Sequence, residues 1–203
     1  MRRQPLFPVV DGNWRMEREP RVRIGVVLAE DDKPEVDLTL PGREYEVLAG
    51  AEAQRVATLS GKALRVRAAA EQVLLEDAGG ERICGPAERV TVAPVSQSPP
   101  EFPAQGVRVQ GIVAGRGFHW QKEIDQTLTG ALEFRAERGR LVMVNSLPLE
   151  EYLIGVITGE MSGQCPEEFM KAQAVAARSW LLATPYPTHP DAPFDWCNDC
   201  LLY

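Results

Sequence analysis

From Arg21 to about Val95 the chain is divided into short β-patterned runs by clusters of Gly, Pro and Asp. The clusters recur at roughly ten-residue intervals, a spacing that admits strands and excludes long helices. Val22-Arg23-Ile24-Gly25-Val26-Val27-Leu28 is rich in β-branched residues, and Val36-Asp37-Leu38-Thr39-Leu40 alternates with a period of two. Leu64-Arg65-Val66-Arg67 and Val90-Thr91-Val92 alternate likewise. Alternation of this kind sends every second side chain to a core and the others to water. A small β-rich unit over 21–95 is expected, preceded by a charged, proline-containing leader over 1–20.

Ser96-Gln97-Ser98-Pro99-Pro100-Glu101-Phe102-Pro103 reads as a linker or exposed loop, because its prolines cannot join a central strand. We place the linker at 96–105 and a second unit at 106–203. Strand pattern returns over Val107 to Val113 and over Ala131 to Ala136. Glu137-Arg138-Gly139-Arg140 is a turn signal, and Leu141 to Asn145 completes a hairpin.

After the hairpin the texture becomes helical. Pro148 suits a first helical turn, with Ser146 as its cap. Glu150 and Glu151 suit the positive end of the helix dipole. Tyr152, Leu153, Val156 and Ile157 form an apolar stripe at helical spacing. Gly159 weakens this helix, and Ser162-Gly163 ends it. A second helix is expected from Pro166 through the alanine-rich run Phe169 to Leu182, stopping before Pro185. The fold class is therefore α+β: a β-rich N-terminal part, then further strands and two helices.

A hydrophobic content of 44% and a charged content of 25% over 203 residues describe an ordinary globular chain that can bury a core without staples. The net charge of −7 argues against a general nucleic-acid binder, which would be basic. No apolar run approaches the length of a transmembrane helix. Met1-Arg2-Arg3 looks like the start of an export signal, but Pro5 to Val10 is too short for its apolar region and holds two prolines. No clear signal peptide is read here.

The second helix carries the first chemical pattern. Glu167, Lys171, Ala174 and Arg178 are spaced by four, three and four residues and so share a face. Folded back on the preceding helix, that face can bring two cations toward Glu160 at the corner between the helices. The plainer reading is a solvated face with a Glu167–Lys171 pair. Among the four cysteines, Cys84 and Cys165 are isolated and read as inert thiols. Cys197 and Cys200 form a C-x-x-C, which suits a metal or a redox pair. His119, in Gly117-Phe118-His119-Trp120, reads as an ordinary loop histidine, with neighbouring aromatics that can stack on sugar rings.

Three blocks, in order, resemble the stage II sporulation protein D and amidase-enhancer family. Leu147-Pro148-Leu149-Glu150-Glu151-Tyr152-Leu153-Ile154-Gly155-Val156-Ile157 is similar to its opening motif. Glu160-Met161 is similar to its acidic motif, and Lys171-Ala172-Gln173-Ala174-Val175-Ala176-Ala177-Arg178-Ser179 to its signature helix. The stretch Asp195 to Tyr203 resembles a segment that follows the helix in many members. The family domain continues past that segment, so the chain is expected to hold the N-terminal portion of the domain.

The resemblance implies a protein of the cell wall acting on peptidoglycan glycan strands, outside the cytoplasm. Its sporulation members are lytic transglycosylases that cleave strands stripped of stem peptides. Carried over by position, the catalytic acid is Glu160 and the signature-helix arginine is Arg178, with Lys171 and Gln173 as substrate-binding groups. Such an acid works best in apolar surroundings, which Met161, Ile157 and Val156 can supply. The chemistry requires no cofactor. A structural zinc on His189, Cys197 and Cys200, with Asp195, Asp199 or a residue beyond Tyr203 as a fourth ligand, competes with free or disulfide-paired thiols. A non-catalytic module that binds wall glycan or stimulates a cell-wall amidase is the alternative function. It draws on Ser162, which stands where the family commonly has proline.

Overall fold

A computed structural model describes residues 19–96, 106–161, 164–183, 189 and 191–199. The strands are β1 (Arg21–Val27), β2 (Glu35–Thr39), β3 (Tyr45–Ala49), β4 (Gln54–Leu59), β5 (Ala63–Ala69), β6 (Gln72–Asp77), β7 (Arg82–Ala87), β8 (Val90–Pro94), β9 (Val107–Ala114), β10 (Lys122–Leu128), β11 (Ala131–Glu137) and β12 (Arg140–Pro148). Helices α1 (Leu149–Glu160) and α2 (Glu167–Ala183) follow, and the short β13 (Trp196–Cys197) comes last. The α+β class holds, with the strands first and the helices late.

Two sheets face each other. One has the order β13-β1-β12-β11-β8-β3-β4 and the other β10-β9-β2-β5-β6-β7. Alternation explains the pairing. In β5, Leu64 and Val66 point inward, while Arg65 and Arg67 point out to Asp37, Glu35 and Glu76 on the neighbouring strands. Val47, Val66, Leu75, Val92, Leu132 and Phe134 are fully enclosed between the sheets. Each such side chain contributes about 1.5–3 kcal/mol relative to exposure. In the β11–β12 hairpin, Arg138 (φ 53°) and Gly139 (φ 78°) form the two-residue turn, which needs positive φ at both positions.

Strands from both sides of 96–105 share both sheets. β1 pairs with β12, β8 with β11 and β2 with β9. The β-rich unit expected over 21–95 is thus built into the same sheets and the same core as the later strands. Of the expected linker, 97–105 lie outside the described residues, as do 1–18 of the leader.

The helix start differs from expectation. Ser146 remains in β12, paired with Arg23, and Pro148 is the residue at which strand becomes helix. The first amides of α1 are satisfied from further away. Leu149 donates to the Pro20 carbonyl at 2.9 Å and Glu150 to Glu19 Oε1 at 2.8 Å. Because β12 is held to β1 up to Pro148, Ser146 has no freedom to turn and cap. α2 begins one residue after Pro166, whose carbonyl accepts from Phe169 and Met170.

The segment 191–199 returns over β1. Asp195 and Asn198 donate backbone bonds to the Arg23 and Gly25 carbonyls, at 2.8 and 2.9 Å. A Cβ on Gly25 would lie 2.7 Å from the Phe194 ring, so glycine is what admits this approach. Arg23 reaches Pro193 and Glu133 together, and Arg135 adds a 2.8 Å bond to the same carboxylate. Burial pushes the Glu133 carboxyl up, but Arg135 and Arg23 outweigh it and hold it below its ordinary range. Among the described residues, no helix is long and apolar enough to cross a membrane.

Candidate functional site

Leu149, Leu153 and Val156 form the buried stripe that seats α1 on the sheets. With that stripe seated, Glu151, Tyr152, Gly155, Val156, Gly159 and Glu160 line a cleft of about 260 Å³. The opposite wall includes Thr127, Thr129 and Asn145 from the strands. An added Cβ at Gly155 or Gly159 would meet nothing within 4 Å. At these two positions the helix presents backbone alone to the cleft.

Glu160 is the last residue of α1, and the Met161 amide closes the helix onto the Ile157 carbonyl at 2.9 Å. Gln173 of α2 donates its side-chain amide to Glu160 Oε2 at 2.5 Å. At the other end of the helix pair, Arg178 grips Glu150 with two bonds of 2.6 Å. These contacts make the helices antiparallel, with Glu160 at the corner where the sequence places it.

Glu160, Gln173, Lys171 and Arg178, the four residues expected around this corner, have different partners. Gln173 is the group that reaches Glu160. Arg178 is committed to Glu150, holding that carboxyl below its ordinary range while its own value is raised. Lys171 turns back along α2 to Glu167 and Glu168, at 2.8 and 3.0 Å on an exposed face. The solvated-face reading thus describes Lys171, and exposed pairs of this kind contribute about 0–1 kcal/mol.

Two further groups were not named as site residues. Glu151 Oε1 and Thr129 Oγ1 are buried on the cleft wall without a hydrogen-bond partner. A buried polar atom left unpaired costs about 1–3 kcal/mol. Asn145 braces the turn that carries Thr129, donating to the Thr129 carbonyl at 2.6 Å. In the sequence, Glu151 shows its suitability for a helix start and its place in the opening motif block, and Thr129 shows nothing.

At the far side of the cleft, Arg116 joins three segments. It bonds Asp31 at 2.6 and 2.7 Å, Asn198 at 2.5 Å, Asp199 at 2.8 Å and the Val26 carbonyl at 2.9 Å. Burial lowers Arg116, yet the carboxylates of Asp31 and Asp199 outweigh it and hold it above its ordinary value. Asp199 also accepts from the amides of Gly115 and Arg116. Asp199, one of the two carboxylates considered as a fourth zinc ligand, thus serves as a structural clamp.

Cys197 is buried in β13, and His189 packs edge-on against Phe194 at 5.3 Å. Among the described residues no three His, Cys, Asp or Glu side chains converge as a metal site. Cys200, on which the zinc expectation depends, lies outside them. Phe118 and Trp120 stack at 5.4 Å beside an exposed His119.

With this geometry in place, comparison with known proteins bears on the same region. Residues 137–203 match the family described as Stage II sporulation protein. An uncharacterized protein of Brachyspira hyodysenteriae is 39% identical over 69 residues, covering 34% of this chain and 19% of that protein. The Stage II sporulation protein D of Bacillus subtilis is 49% identical over 39 residues, 19% of this chain and 11% of that protein. That of Bacillus amyloliquefaciens matches to the same extent. The matched segment thus spans less than a fifth of the length of each of these relatives. No solved structure matches the chain.

Proposed function

We propose, from the premise that residues 137–203 carry a stage II sporulation protein domain with the cell-wall role its family suggests, that the chain cleaves peptidoglycan glycan strands as a lytic transglycosylase. The observation that carries this reading is the Glu160–Gln173 bond at the mouth of the α1 cleft. The Glu160 carboxyl is oriented by an amide and faces a groove open enough for a ligand. An acid held by one oxygen presents the other at a defined place, which general acid catalysis requires.

In this reading Glu160 gives its proton to the glycosidic oxygen as the bond from that oxygen to the anomeric carbon breaks. Positive charge builds on the sugar ring, as in other glycoside cleavages. The 6-hydroxyl of the same sugar attacks the anomeric carbon and returns its proton to Glu160. No water is consumed, and the products are a 1,6-anhydro end and a free hydroxyl end. The carboxyl acts first as acid and then as base, so no second carboxylate is needed. Gln173 positions Glu160. Arg178 exchanges Glu150 for a polar group of the substrate, and its distance from the acid leaves the proton undisturbed.

The test is digestion of stem-peptide-free glycan strands by the folded chain and by Glu160→Ala, read by mass spectrometry. The reading requires anhydro-muramic products from the wild-type chain alone, with at least a roughly hundredfold loss in the variant. A folded wild-type chain that binds strands and releases no product contradicts cleavage and favours the wall-binding or amidase-enhancing alternative.

A further inference from the structure

We infer that the cleft has an inner polar subsite, formed by Glu151 Oε1 and Thr129 Oγ1, which binds a sugar unit remote from the bond being cleaved. The inference rests on the glycan reading of Glu160 and deepens it. Thr129 is 3% exposed, its hydroxyl has no partner, and it lines the same cavity as Glu151. Two unsatisfied polar atoms lining one cavity, one from the helix and one from the strand side, call for a ligand that brings both a donor and a second polar group. A carboxylate oxygen accepts, and a threonine hydroxyl donates or accepts. A sugar hydroxyl or an acetamido N–H supplies the matching groups.

Position excludes the obvious alternative role for Glu151. It stands nine residues before Glu160 on one helix, a rise of about 13 Å. Paired carboxyls that share one glycosidic bond lie about 5–9.5 Å apart. Glu151 is therefore not a second catalytic carboxylate but the far end of a track. Glu151, Gly155 and Gly159 follow one another at four-residue steps, and both glycines open onto empty space. Helix interiors disfavour glycine, so two of them on this face keep the track clear at a cost in helix stability. An extended strand lying in the cleft passes Gly155 and Gly159 between Glu160 and the Glu151 and Thr129 groups, all of which line it.

The subsite is tested with stem-peptide-free glycan strands of graded length and the full chain carrying Thr129→Val or Glu151→Gln. Thr129→Val keeps the buried shape, and circular dichroism checks both variants for folding. The expected result is affinity for long strands weakened about five- to tenfold, with affinity for a disaccharide unchanged. Equal affinities of variants and wild type for long strands overturn the subsite while leaving cleavage by Glu160 standing. Losses that are the same for disaccharide and long strand also overturn it, since they indicate a general disturbance of the cleft. If the wild-type chain binds no glycan, both the subsite and the function proposed above fall.

Discussion

At the residue scale the account turns on which partner each charged group has. The motif blocks made Glu160, Gln173, Lys171 and Arg178 visible in the sequence, but not their pairing. Pairing depends on how two helices cross, and a four-residue spacing says only which residues share a face. Gln173 sits one helical position from the face that carries the cations, which is why it, and not Lys171, meets Glu160. Replacing Gln173 with Leu keeps the side chain's bulk and removes the donor. We expect Gln173→Leu to lower kcat on glycan strands about tenfold, with KM little changed and the fold intact. Unaltered kcat would show that the amide does not position the acid.

At the element scale, both helices and β1, β2, β5, β8, β9, β11 and β12 were legible because their apolar patterns are strong, whereas the interior strands β3 and β6 were not singled out. β4 and β10 were not, because both are sheet-edge strands with mixed exposure, and sequences such as Lys122-Glu123-Ile124-Asp125-Gln126 lack an apolar face. β7 contains Pro86, which its edge position tolerates. The cap of α1 was missed because Glu19 lies far from it in sequence. α1 itself makes an opposed prediction. Gly155→Ala and Gly159→Ala should each stabilise the chain by about 0.5–1 kcal/mol, since the new methyl meets open space in a helix. The same methyl narrows the track, so glycan affinity should fall as Tm rises. Thermal unfolding and strand binding measured on one preparation check both. A rise in both quantities would remove the track from the account.

At the scale of the whole molecule, what the sequence concealed is the interleaving of its two halves. Local alternation identifies strands, but nothing local says that β1 will lie between β12 and β13, near the other end of the chain. That closure is secured by charged clamps: Arg116 with Asp31 and Asp199, and Arg23 with Glu133. The second clamp has a pH signature. Glu133 is held below its ordinary value in the folded state, so its contribution is present above the unfolded Glu value of about 4.3. It is lost as pH falls through the lowered folded value. Glu133→Gln should therefore be less stable than wild type near neutrality, by about 1 kcal/mol, with the gap closing in acid. Denaturant unfolding at a series of pH values measures this, and a gap that widens in acid would reverse the assigned sign.

The central claim, cleavage by Glu160 without water, is tested most directly by digesting stem-peptide-free glycan in oxygen-18 water. Wild type and Glu160→Gln would be run side by side. The account predicts unlabelled 1,6-anhydro ends from wild type and none from the variant. Ends carrying the heavy oxygen, or undiminished product from Glu160→Gln, would contradict it.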